Sequence, residues 1–491
     1  MQAVIFDILY ENRKYGPLMK TIMHNENMSS MSAAVRSCAY AFACFAALAA
    51  NAEIEFDAGA DLRIRQELIR NAPGLPGGGL LMSARRSGFT DQMRFRPRIW
   101  GEIKAYSENE SVGEWRIFTR LTDEFRWCPE PYKNAQTFPG EVILDNLFIE
   151  GKGVFDGFLD LRLGRQDLYN YCGLDHVFVD GTPGDGSRTV YTDMAAFKLH
   201  FTEDSTLDLF ALYNFDDTDI RWGTRRSKHT SLSGLGGGAD LDMDDWGVGA
   251  IWGSKLYEWL PYQLFIMQKN THEFMRGGVE HPWTQRELVG AKVVPQINDE
   301  WSLQLEAMGQ IGNNGDHDTL CGWSSYAGVN WKSATESSIK PFGSFGYHFM
   351  SGGDDAAVED GGHRAWDPMW SRGVNDSELF LYGTHYGAAW WSNQHYMKLA
   401  AGLDFGRAHR LTGHIGPLFA AAQDGMGGGD GHFKGLLSQL RYDFPLWLAD
   451  KEKGERFEVV GHFHLELFNP GDYYETDKPG FFFRWQVEFR F

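Results

Sequence analysis

After position 52 the chain has no run of about 18 apolar residues, so no membrane-spanning helix is encoded there. Positive charge is scarce: 46 Lys and Arg stand against 66 Asp and Glu, a formal net charge of −20, which argues against a nucleic-acid partner. Only five cysteines occur in 491 residues, and two of them, Cys38 and Cys44, lie in an apolar N-terminal segment. Cys128, Cys172 and Cys321 are left; three thiols allow one disulfide at most, with Cys128–Cys172 as the possible pair. No G-x-S-x-G, H-E-x-x-H or P-loop pattern stands in a supporting context, and no fixed motif repeats every 40 to 50 residues. Catalysis therefore has no visible carrier, and a propeller is disfavoured. A lipid hydrolase of the outer membrane is the remote enzymatic alternative. His462 with His464, or the aspartates at 240, 242 and 244, read as accidents of a loop-rich acidic chain rather than as metal ligands, and no cofactor is implied.

What is present is alternation. In FFFRWQVEFRF (481–491), Phe481, Phe483, Trp485, Val487, Phe489 and Phe491 share one side, and Phe482, Arg484, Gln486, Glu488 and Arg490 share the other. A period of two is a strand, and these two faces want different solvents. The same pattern fills MRFRPRIWGEIKAY (93–106), where Arg94, Arg96, Arg98, Trp100, Glu102 and Lys104 oppose Met93, Phe95, Pro97, Ile99 and Ile103. Nineteen such segments occur after position 52. Dropping 378–391, where Gly383 and Gly387 blur the pattern, leaves eighteen, an even number as a closed membrane barrel requires. A barrel strand is only half apolar, so a mean hydropathy of −0.38 does not contradict a membrane protein.

The connections sort into two kinds. After even-numbered strands they are short, as at 107–112, 153–155, 203–204 and 333–336; after odd-numbered ones they are mostly long and rich in glycine and acid, as at 68–90, 169–188, 217–241 and 352–393. This predicts an all-β fold, a transmembrane antiparallel barrel of 18 strands in the outer membrane of a Gram-negative-type bacterium, embedded in its lipids with both termini periplasmic. Arg36, the apolar Cys38–Ala50 stretch and Ala50-Asn51-Ala52 read as a secretory signal peptide. Residues 1–52 are thus expected to be the signal, with a true start at Met28 or Met31, and 53–491 to be one barrel domain. The C-terminal aromatic strand resembles the signal read by the barrel-insertion machinery.

The inward face concentrates arginine. Arg63 and Arg65 lie on strand 1, Arg94, Arg96 and Arg98 on strand 2, Arg116 and Arg120 on strand 3, Arg162 on strand 5, and Arg484 and Arg490 on strand 18, which closes against strand 1. Guanidinium groups around a narrow low-dielectric bore favour carboxylate and phosphate. Two readings stand. The arginines select anions, or they are neutralised by Glu55, Asp57, Asp61, Glu67, Glu102, Asp160 and Glu488, leaving a general porin or one with another substrate. On strands 2 and 3, five arginines and Lys104 face only Glu102 and Glu124.

LRLGRQ (Leu161–Gln166), FNPGDYY (Phe468–Tyr474) and Arg96-Pro97 resemble, in order, stretches of the alginate-export porin family. That resemblance implies a monomeric channel for an anionic uronate polysaccharide, in export or uptake, with periplasmic secretion or uptake partners and an arginine-rich constriction. Arg96, Arg162 and Arg165, with Arg490 as a weaker match, carry over as constriction residues. Alternation points Arg165 at lipid, but a bulge at Gly164 would turn it inward. In the long loop, WDPMWSRG (Trp366–Gly373) offers Trp366, Trp370 and Arg372 either as stacking contacts for sugar rings or as packing against the wall.

Overall fold

The computed structural model describes residues 52–72, 89–107, 110–130, 134–135, 142–167, 173–174, 191–214, 221–222, 245–276, 279–315, 319–353, 362–367, 369–370, 377–380, 392–423 and 428–491. The expected signal segment, up to position 51, lies outside them, as do Cys172, Arg372 and the acidic stretch 240–244.

The alternating segments form eighteen staves. In chain order they are β1 (Ala52–Arg70), β2 (Phe89–Ser107), β3 (Glu114–Thr122, resuming as Phe125–Glu130), β4 (Val142–Val154), β5 (Leu159–Asp167) and β6 (Tyr191–Thr202). There follow β7 (Ser205–Asn214), β8 (Asp245–Tyr257), β9 (Leu260–Thr271), β10 (Thr284–Val293), β11 (Trp301–Asn314) and β12 (Thr319–Lys332). The last six are β13 (Ile339–Met350), β14 (Gln394–Phe405), β15 (His409–Phe419), β16 (Phe433–Trp447), β17 (Glu458–Pro470) and β18 (Gly480–Arg490). Each stave pairs antiparallel with the next, and β18 closes on β1 from Arg70↔Phe481 to Asp61↔Arg490. Closure leaves no edge of unpaired backbone groups, the condition for spanning a bilayer with strands.

Short connections such as 203–204, 258–259 and 406–408 gather at one end, where Ala52 pairs with Ser107 and the chain also finishes. Phe56, Ile99, Ile266, Val289, Ile311, Phe345 and Leu399 are each more than half exposed on the outer face, the surface a bilayer would cover. Tyr257, Trp259, Trp301 and Trp331 stand near the short-turn end of this band, and Trp127, Trp323 and Phe349 near the other. Amphipathic aromatic girdles of this kind suit the two headgroup levels.

Two of the prolines inside staves, Pro97 and Pro341, are absorbed without a slip. Pro97 has no N–H, and β3 interrupts its ladder opposite it, at Asp123–Glu124, with the same register on both sides of the gap. Pro341 sits one residue beyond the β12–β13 ladder, where its carbonyl accepts the Ser333 amide. Segment 378–391 contributes no stave where it is described: Glu378–Phe380 is a helical turn.

Candidate functional site

The site grows from the inner faces of β1 to β5 and β18. Parity turns Arg63, Arg65, Arg94, Arg96, Arg98, Arg116, Arg120, Arg162 and Arg484 inward, and the inner face supplies carboxylates between them. A chain of alternating sign runs around the wall. Glu378 of the long loop holds Arg484 through two contacts of 2.9 Å. Arg484 in turn grips Glu67 at 2.7 and 3.0 Å. Glu67 also takes Arg65 and Arg94, and Arg94 reaches Glu124, which takes Arg126. Arg98 forks onto Asp61, Arg96 lies between Asp61 and Glu488, and Arg490 bonds Glu488 at 2.9 Å. Arg456, at the short-turn end, pairs with Asp57.

The β2–β5 part of the wall has a second property. Arg116, Arg120, Arg162, Lys104 and Lys152 pair with Glu102, Asp145 and Glu150, while Glu55 and Glu114 stand across the ladder from Lys104 and Lys152. The cations are also the more exposed members: 28 % for Arg116 and 34 % for Arg162, against 8 % for Glu102 and 7 % for Glu150. The acids lie beneath the guanidinium groups, so a solute in the bore meets positive charge first.

The opposite arc of the bore carries an apolar cluster among polar positions such as Lys269, Gln310 and Glu466. Phe210, Leu212, Ile251, Phe265, Met267, Leu288, Met308, Met350, Tyr396, Leu418, Leu437 and Phe468 face inward from β7 to β17 and form one buried cluster with Trp366, Met369, Trp370, Leu379 and Phe380 of the long loop. The loop after β13 therefore folds into the barrel. Its Asp367 side chain meets Arg286 of β10 at 3.1 Å, its Asp367 amide and carbonyl bond Gln310 of β11, and the Met369 carbonyl accepts Lys269 of β9 at 2.7 Å. Gly247 makes room for the Trp370 ring, since a Cβ there would overlap it. Burial by itself would raise the Asp367 carboxyl; Lys269, Arg286 and the Met369 amide more than offset this and hold it below the usual aspartate value.

Nearly half the circumference away, Glu466 of β17 caps the turn at 377–380. It accepts the Ser377 hydroxyl and the Glu378 and Leu379 amides, together with Gln439. Trp370 and Ser377 are seven residues apart, so these two anchorages lie within about 25 Å of each other along the chain. The FNPGDYY stretch joins the same packing: Tyr473 and Tyr474 are buried in the cluster, and Lys434 lies 5.1 Å over the Tyr473 ring.

Of the two readings of the loop tryptophans the packing one fits, and the inward turn of Arg165 is corrected. Trp366 and Trp370 are each 1 % exposed, so they are not surfaces on which a sugar ring could stack; they are the loop's contact with the wall. Arg165 does not turn inward. Gly164 has φ +123 yet stays opposite Met194, while Arg165 stands opposite Leu147 and Asp193, the parity of the outward Phe197 and Phe201. There it pairs with Asp193 at 2.9 Å and lies 4.3 Å over the Tyr191 ring. Arg372 lies outside the described residues. Reading the sequence missed Glu378, Glu466, Lys269 and Arg286, which join the long loop to staves distant in the chain.

No family model matches the chain, and no curated protein matches it. Solved structures of outer-membrane porins do. OccK7 (OpdD) of Pseudomonas aeruginosa aligns with a TM-score of 0.52 at 10 % identity, covering 89 % of this chain and 99 % of that one. OpdQ of the same species gives 0.51 at 10 %, over 89 % and 97 %, and its OccK3 (OpdO) gives 0.51 at 11 %, over 89 % and 96 %. At such identities the likeness is one of fold, a closed antiparallel 18-stranded β-barrel.

Proposed function

We propose that the protein is a passive outer-membrane porin for small anionic solutes, with its short turns and both chain ends in the periplasm. The observation that carries this reading is the recessed position of Glu102, Asp145 and Glu150 behind Arg116, Arg120, Arg162 and Lys104. In a low-dielectric bore the exposed member of an ion pair dominates the field felt by a passing solute. The arginines are paired, but asymmetrically, with the bases the more exposed members. Nothing in this mechanism needs energy coupling; the gradient drives flux.

A small solute fits the bore better than a uronate polymer. The long loop touches both sides of the bore through Asp367 and Glu378, which narrows the passage a threading chain would need. The alginate-like motifs fall elsewhere in function: Arg162 on the cationic wall, Arg165 on the outer face, Tyr473 and Tyr474 in the loop packing. The C-terminal Phe491, with Phe489 and Val487 on the outer face of β18, is suited to recognition by the insertion machinery.

Reversal potentials in planar bilayers under a salt gradient test the proposal. The native channel should prefer chloride over potassium. Arg116→Glu with Arg162→Glu should abolish or invert that preference. Cation preference in the native channel would refute the reading.

A further inference from the structure

Stave β4 carries one residue more than its ladder with β3 needs. Down the stave the partners run Ile143↔Thr122, Leu144↔Leu121, Asn146↔Arg120 and Leu147↔Thr119. Asp145 is skipped, so two residues of β4 stand against one of β3, which is a β-bulge. Leu144 and Leu147 both keep the outward parity of Leu121 and Thr119. A regular strand holds one inward residue between two such outward positions. Here there are two, Asp145 and Asn146, buried at 1 % and 3 % exposure. Asp145 accepts Arg120 through Nε at 3.0 Å and Nη2 at 2.9 Å, and the Thr122 hydroxyl at 2.9 Å. On the outer side, the Leu144 carbonyl beside the bulge accepts Arg165 at 3.2 Å.

We infer that Asp145 is a specificity-determining residue, an inserted counter-charge that tempers the cationic wall. The inference rests on the anion-porin reading and deepens it. A bulge adds an inward side chain without turning the lipid-facing ones over. Glu102 and Glu150 occupy regular inward positions, across from Phe118 and Arg116. Asp145 is there because the stave has an extra residue, and the ladder would be continuous without it. Its carboxylate works from behind: Arg120 is 14 % exposed and Asp145 1 %. Arg120 lies one helical-free step of four residues along β3 from Arg116, so the pair sits within the same cationic stretch. A wall that only attracts anions would also retain them, and conduction needs binding weak enough to release.

Deletion of Asp145 tests this. Joining Leu144 to Asn146 leaves the β3 partners of both unchanged, so the barrel should form, as judged by the gel shift between unheated and boiled samples. The preference for chloride over potassium, read from reversal potentials, should then rise about twofold to fivefold, the scale on which one partly exposed charge acts. Inorganic phosphate should block the chloride current at a concentration lower by a similar factor. Asp145→Asn keeps the bulge and removes the charge, so it should reproduce both changes; Asp145→Glu should behave like the native channel. A residue that merely held Arg120 in place would give the opposite sign, because a loosened Arg120 lowers the preference. Unchanged or lowered preference in folded Asp145→Asn channels would overturn the inference, whether or not the deletion variant folds. That result leaves a native channel that prefers chloride, whereas cation preference in the native channel would remove the porin reading itself.

Discussion

The inner wall of this barrel is two surfaces, not one. From β18 through β5 it is a network of ion pairs: Glu378, Arg484, Glu67, Arg94, Glu124 and Arg126 follow one another with alternating sign. From β7 through β17 much of it is Phe, Met, Leu and Ile, covered by Trp366, Met369, Trp370, Leu379 and Phe380. Both arcs are made of strands with the same period of two. They differ in what lies against them. The Arg484–Glu67–Arg94–Glu124 part of the charged arc is buried, whereas around Arg116 and Arg162 the bases are the more exposed members and Glu102 and Glu150 lie behind them. The apolar arc faces a loop, and its energetics are those of an ordinary core. Where the loop folds over polar inward residues such as Glu466, Lys269 and Gln310, it supplies their hydrogen-bond partners.

The sharpest way to break that contrast is to unfasten the loop. Glu466 is wholly buried and accepts four hydrogen bonds from Ser377, Glu378, Leu379 and Gln439. Glu466→Ala strands those donors and should cost about 3–5 kcal/mol at that anchorage, the range for breaking a buried charged contact. Single-channel conductance should rise severalfold and become noisy. Trp370→Ala attacks the other anchorage by leaving a cavity among Phe210 and the β8 wall, at a cost of about 3–5 kcal/mol. If either variant conducts like the native channel, the loop does not set the width of the passage.

A gentler perturbation is acid. The Asp367 carboxyl is held below its ordinary value of 3.8, so its contribution is fully present above about pH 3.8 and is lost only as pH falls through the lower, folded value. Conductance should therefore be flat from neutrality to about pH 4 and step upward below it. Asp367→Asn removes the titrating group, so that channel should show the raised conductance at neutral pH and a smaller step, or none, in acid. A step centred near pH 6 would assign the control to some other group.

The same two surfaces explain what the sequence made legible. The eighteen staves and their short and long connections could be counted, because a lipid-facing side chain must be apolar all the way around. The arginine wall stood out because charge in alternation with Phe and Ile has no other reading. The apolar arc was hidden by its own chemistry. In YQLFIMQKN (262–270), inward Phe265 and Met267 sit between outward Leu264 and Ile266, and the four read as one greasy run in which the period vanishes. The inward fold of the loop was equally hidden, since Asp367–Arg286 and Glu378–Arg484 join residues 81 and 106 apart, a distance at which no spacing rule operates.

The smallest effect probes whether parity or mere composition decides an arginine's role. Arg165 is as buried as Arg94, at 8 % against 5 %, and is paired as closely, yet it lies on the outer face with Tyr191 and Asp193. If selectivity arose from total arginine content, Arg165→Ala should lower it as much as a loss on the wall would. If it arises from what the bore sees, the reversal potential should not move. The cost should then appear only as stability, about 1 kcal/mol, because Asp193 is over a third exposed and can be solvated when its partner goes. Unchanged reversal potential with a small fall in the unfolding midpoint would separate the two faces of β5 one residue apart, Gly164 toward water and Arg165 toward lipid.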